Sequence, residues 1–163
     1  MRINFVKYVT GIAVAVTMLG GAGVSVAQDK PADNMQILRD KIKADKKLLV
    51  ALNMELSEPE AKAFWPIYEQ YQKDLQKINQ RIVGLLESYA DDFRRKSLTN
   101  DKAKKLIDEA VAIEQAEAGL KSAYAPKLSK ALPATKVVRY LQVENKIRAV
   151  VKYDLASGVP LVR

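Results

Sequence analysis

The sequence predicts an all-α protein, an elongated antiparallel helical hairpin with flanking helices, kinked at Pro66 and Pro126 and paired as a dimer. Three observations carry that expectation. Past residue 28 only Gly84, Gly119 and Gly158 remain as glycines, in a chain rich in Ala, Leu, Lys, Glu and Gln. No stretch alternates with the period of two that a half-buried strand requires. Between Phe64 and Phe93 apolar residues recur in steps of three and four over about eight turns, the signature of one helix face.

Residues 1–27 read as a secretory signal peptide. Arg2 and Lys7 give a positive start, Tyr8 to Leu19 an apolar run, and Ser25-Val26-Ala27 a small-x-small site with cleavage after Ala27. The apolar run is short for a membrane span, which needs roughly 20 residues. The expected mature chain, 28–163, is a single all-helical domain in the periplasm. It has no cysteine, so its stability rests on helix packing and not on disulfides.

Four helices follow. The first is expected over about 34–53, with Asp33 as N-cap, Gln36 closing a capping box, and Ile37, Leu38, Ile42, Leu48, Leu49 and Leu52 on its apolar side. The second, about 57–95, opens at "LSEPEA": Ser57 caps, Glu60 takes the box position, and Pro59 lies in the first turn, where a missing N–H is harmless. Its basic end, "FRRKS", suits the negative pole of the helix dipole. The third, about 100–131, is capped by Thr99 or Asn100 and carries Leu106, Ile107, Ile113, Leu120, Tyr124 and Leu128. Glu117 interrupts that seam, and Ala116 is expected to take its place. The fourth, about 133–156, carries Val137, Val138, Leu141, Ile147, Val150 and Val151, and stops at Gly158 and Pro160. A linker of about four residues between the second and third helices requires an antiparallel pair. At 1.5 Å per residue the second helix is about 57 Å long, more than its partner alone can cover, which favours flanking helices or a second copy.

Chemistry finds little to work with. The chain has no histidine and no cysteine, and no glycine-rich phosphate loop outside the leader. Without histidine its carboxylate pairs, such as Glu114 with Glu117, do not make a di-iron bundle site. An enzyme, a metal site and a bound cofactor are therefore not expected. The net charge of +8 falls to +6 once Arg2 and Lys7 are removed. Outside the cytoplasm that points to unfolded or partner proteins, or to an anionic membrane surface, and not to nucleic acid; it also serves simple solubility.

The helix starts share a form: Leu56-Ser57-x-x-Glu60, Leu98-Thr99-x-x-Lys102 and Leu132-Pro133-x-x-Lys136. A leucine before the cap can staple onto the first turn, so the pattern has a structural reading of its own. In this layout the chain resembles the Spy/CpxP-like periplasmic helical proteins, over roughly 34–155. That family carries two LTxxQ motifs. Here Leu56, Ser57 and Glu60 stand for the first, and Leu132, Pro133 and Lys136 for the second, with Ser for Thr, Pro for Thr, and Glu and Lys for Gln. The resemblance implies a dimeric, ATP-independent chaperone or an adaptor in envelope stress sensing. The family's metal-sensing branch uses ligands that this chain lacks.

Two features stand as candidate client or partner surface. Pro66 cannot donate to the carbonyl of Lys62, and Pro126 leaves that of Ser122 free, so each arm is expected to bend. Trp65, beside Lys62 and Tyr68, either caps the core or faces outward as an adaptable contact. The fourth helix, "KVVRYLQVENKIRAVVKY", interleaves Arg139, Tyr140 and Arg148 with apolar residues, as a docked helix with a solvated basic side or as a basic binding face.

Overall fold

The computed structural model describes residues 45–162, and every regular element among them is an α-helix, so the all-α class holds. In chain order these are α1 (Lys46–Met54), α2 (Glu58–Arg95), α3 (Asn100–Ala131) and α4 (Ala134–Ser157). The described residues form two units, one ending at Asn53 and one beginning at Met54. In the first, Asp45 Oδ1 accepts the Leu48 N–H at 2.9 Å and so caps α1. Leu48 and Leu52, expected on the apolar side, are exposed. Residues 34–44, with the expected cap Asp33 and box residue Gln36, lie outside the described residues, as does the leader.

In the second unit each boundary has a local cause. Glu60 and Ser57 form the expected capping box at the start of α2, with Pro59 in its first turn. Lys96 ends α2 in a left-handed conformation (φ 52°), letting Ser97 N–H reach the Asp92 carbonyl at 2.9 Å. Thr99 is the cap of α3, its hydroxyl accepting from Lys102 N–H at 3.4 Å. Pro133 precedes α4, and the Leu132 N–H closes the last turn of α3 on Leu128 at 2.9 Å. Pro66 and Pro126 lie inside α2 and α3 on exposed positions, so water can reach the carbonyls they leave unbonded.

Contacts give the directions. Tyr71 meets Tyr124 and Arg81 meets Glu109, so α3 runs against α2. Phe64 meets Tyr140, Gln72 meets Glu144 and Asn79 meets Arg148, so α4 runs with α2. The interior begins at the α2 and α4 starts as an aromatic cluster. Tyr140, fully buried, stands edge-on to Phe64, Tyr68 and Tyr71 at centroid distances of 5.1, 6.2 and 6.0 Å. Such pairs add about 0.5–1.5 kcal/mol each beyond area burial. Leu75, Ile78, Ile113, Leu128, Ile147 and Val150 continue the core.

Gly84 and Gly119 lie within α2 and α3, and a Cβ built at either meets nothing within 4 Å. Glycine inside a helix costs about 0.8–1 kcal/mol relative to alanine. Gly84→Ala is therefore expected to raise the unfolding free energy by about that amount, read as a higher urea midpoint at unchanged slope. A lowered midpoint would mean that something in the protein approaches the Gly84 backbone.

Candidate functional site

Halfway along the second unit the apolar seam gives way to charge. Glu117 of α3 and Arg148 of α4, each 7 % exposed, form an ion pair across the interior. Arg148 also donates to Asn79 Oδ1 of α2 at 2.8 Å, and Lys152 reaches Glu117 at 2.7 Å and Glu114 at 2.9 Å. One turn earlier Glu144, fully buried, accepts from Gln72 at 2.8 Å and from the Tyr140 hydroxyl at 3.3 Å. Burial pushes the Arg148 guanidinium below its usual pKa, while the electrostatic influences of Tyr71 and Glu114 act the other way. Burial, reinforced by the Glu144 charge, pushes the phenols of Tyr71 (to about 12) and Tyr140 upward. Sequence reasoning placed Ala116 in the seam and Glu117 at its flank. The structure reverses this, because Arg148 and Lys152 reach Glu117 where it is buried.

The helix-start motifs meet in space. The Glu60 carboxylate accepts from the backbone N–H and the hydroxyl of Ser57 at 2.8 and 2.9 Å, and from the Lys136 ammonium. Lys136 donates further to the Glu55 carbonyl at 3.0 Å. Leu132 is buried, Leu56 half-buried and Pro133 exposed. One carboxylate thus closes the first turn of α2 and ties it to the first turn of α4. The Lys136 bond, then the Ser57 N–H, hold the Glu60 carboxyl at about 2, well below the usual range. Asp74 is likewise held at about 2, first by Lys77 (2.8 Å) and then by the Tyr124 hydroxyl (2.6 Å). Tyr124 in turn is raised to about 12 by burial and by that bond, with Lys127 4.2 Å above its ring.

The candidate surface residues separate. Tyr68, Tyr140 and Arg148 are buried and are not contact surface: the two phenols belong to the aromatic cluster, and Arg148 is consumed by Glu117 and Asn79. Trp65 is half-buried, packed edge-on against Phe64 and Tyr68 at 5.0 and 5.3 Å. Lys62 and Arg139 are exposed, the latter 3.6 Å from Glu55.

Three residues that the apolar patterning passed over or misplaced stand outside. Val138 and Ile107, expected in the core, are 54 % and 62 % exposed, and Tyr153 is 62 % exposed. Ile107 lies on α3; on α4, Val138 and Tyr153 share a face with Gln142, Asn145, Lys146 and Ala149, all exposed. Between Ala134 and Tyr153 the one carboxylate, Glu144, points inward, so over this span α4 itself contributes cations and apolar groups to its outer face, with Glu55 meeting Arg139 from outside the helix. An arrangement of this kind can adhere to acidic or apolar material. An open groove of about 610 Å³ between α2 and α3 is lined by Arg81, Asp92, Lys102 and Glu109 among others, but these four are already bonded to one another in pairs. Among the described residues no His, Cys, Asp and Glu cluster could hold a metal ion, and no helix is long and apolar enough to cross a membrane.

Both Glu60 and Asp74 have folded pKa values below their unfolded ones, so the stability they contribute is present above the unfolded value, about 4.3 for Glu and 3.9 for Asp. It is lost as pH falls from there toward about 2. Glu60→Gln is expected to lower the urea midpoint at neutral pH and to flatten its decline through this acid window; an unchanged acid profile would remove Glu60 from the account. No family model, curated protein or solved structure matches the chain.

Proposed function

We propose that this is an exported helical binding protein that holds unfolded or stress-exposed polypeptides in the periplasm, without nucleotide and without a catalytic step. In this reading residues 1–27 are removed and the chain is a divergent member of the Spy/CpxP-like group. The finer architecture belongs to the same proposal: an elongated hairpin with flanking helices, bent at Pro66 and Pro126 and assembled in pairs. The observation that carries it is the outer face of α4, where Val138 and Tyr153 stand exposed with Lys146 and with Arg139, the latter 3.6 Å from Glu55, and where α4 itself adds no outward carboxylate before Asp154. Partly folded chains offer apolar segments and acidic stretches together, and a mainly basic amphipathic face meets both. Trp65, half-exposed beside Pro66 and Lys62, adds a smaller aromatic contact at the α2 end.

The same face also fits an anionic membrane surface, where exposed cations with interleaved apolar groups attach peripherally. One set of samples separates the two readings. The protein is expected to suppress aggregation of two unrelated model clients near stoichiometric ratio, and the Val138→Ser/Tyr153→Ser variant, equally helical, to lose most of that suppression. Sedimentation with anionic vesicles that salt abolishes, with no suppression of either client, would replace the chaperone reading by the membrane one. Neither activity would leave an adaptor docked on one envelope sensor protein as the surviving function.

A further inference from the structure

Exposed apolar residues of the second unit gather where α4 stops. Lys152 of α4 meets Glu114 of α3 at 2.9 Å, and the two helices run in opposite directions. Ile107 lies seven residues before Glu114 and so on the same face of α3; the matching step along α4 would reach Val159, beyond its last residue, Ser157. Ile107 therefore outlasts its neighbour and stands exposed, with Val111 one turn on at 52 % exposure. The chain leaving α4 is tied to α2, the Tyr89 hydroxyl donating to the Pro160 carbonyl at 2.7 Å. Past that tie Leu161 and Val162 are 88 % and 67 % exposed. The same end is basic: residues 91–108 hold six cations and four acids. Arg94 pairs with Asp91 and Lys102 with Asp92. That leaves Arg95, Lys96, Lys104 and Lys105, all exposed and in no ion pair among the described residues, against Asp101 and Asp108. Lys104 is three residues from Ile107 and so beside it on α3.

We infer that this end is an attachment tip that seats on an anionic phospholipid bilayer. Leu161, Val162 and Ile107 enter the headgroup region, and the four cations meet lipid phosphates. Apolar side chains beside long cations suit a peripheral contact, because the apolar groups leave water while each charged head stays at the phosphate level. Leu161 and Val162 lie on a tail past the last helix, which favours a bilayer: insertion there asks for depth and not for a matching shape. Charge complementarity selects anionic over neutral lipid, at about a fivefold gain in partitioning per cation near the surface. The contact is reversible, since salt screens its charge part. This tip is separate from the outer face of α4 and does not depend on what that face holds. Val138 lies about 29 Å along α4 from Ser157, so the start of the α4 face stays clear while the tip is attached.

Sedimentation of the leader-free chain, residues 28–163, with vesicles of phosphatidylcholine alone or with about one-third phosphatidylglycerol tests this. Binding is expected to the second kind only, and to fall as salt rises. Leu161→Ser/Val162→Ser and Lys104→Gln/Lys105→Gln are each expected to lower partitioning at least about tenfold at unchanged helicity. Val138→Ser/Lys146→Gln, on the α4 face, is expected to leave vesicle binding as it was. The chain has no cysteine, so a polarity-sensitive dye on Leu161→Cys reports the tail alone. Its emission is expected to shift to the blue on anionic vesicles, and that of the same dye on Gln142→Cys to stay. Binding lost through Val138 and Lys146 but kept in both tip variants would place the contact on α4 and overturn the tip. No binding to either vesicle, or equal binding to both, would overturn it too. Client suppression, read on the same samples, decides the chaperone reading separately.

Discussion

A guanidinium cannot be taken out of water alone. The effective penalty of burying one charge is several kcal/mol even after the protein relaxes, and Arg148 is 7 % exposed between three helices. That constraint orders much of what surrounds it. Glu117 must come from α3 to balance it, Asn79 from α2 to accept a hydrogen bond from a second N–H group, and Lys152 from the next turn of α4 to balance Glu114 and the far side of Glu117. An apolar seam would tolerate α4 sliding by a turn against its neighbours. Here such a slide would strand a buried cation and a buried anion at once. The polar layer therefore fixes the register of α4, and with it which α4 side chains face outward.

The clasp at Glu60 and Lys136 works at the other end of α4 with the same logic at lower stakes, because it is partly solvated. Between the two lie Phe64, Tyr71 and Tyr140, whose burial supplies attraction without much positional choice. Division of labour follows: aromatics hold α4 on, and the ion pairs decide where. The positions left over on α4, Val138, Arg139, Gln142, Lys146 and Tyr153, make up its basic outer face because every interior position is already fixed. Function, in this account, is carried by what the interior excludes.

Much of the helical organisation is legible in the sequence. Ser57 with Glu60, Thr99, and Gly158 each have a direct local meaning, and the structure places boundaries at them. Periodicity also finds Phe64, Tyr71, Leu75 and Ile78. It falters where the interior turns polar. Glu117 sits in phase with Ile113 and Tyr124, and Glu144 in phase with Tyr140 and Ile147, but a rule that asks for apolar residues skips both. The missed signal was the phase itself: a charge standing where the seam requires a core residue calls for an opposite charge from another helix. Arg148 was misread for the same reason, as a surface cation on a basic stretch. Exposed Val138 and Ile107 show the converse error, since on a helix this crowded with apolar residues some must face outward. The meeting of Glu60 with Lys136 was not foreseeable from either motif alone, because it depends on α2 and α4 running side by side.

A double-mutant cycle on Glu117 and Arg148, read by urea unfolding, tests the central claim most directly. Glu117→Leu leaves Arg148 with only Asn79 and is expected to cost about 3–5 kcal/mol; Arg148→Met leaves Glu117 with Lys152 and should cost less. With both replaced, the buried charges are gone together, and most of the loss is expected to be recovered. Additive losses, with no recovery in the double variant, would show that the two groups do not depend on each other and would remove the polar layer as the element that positions α4.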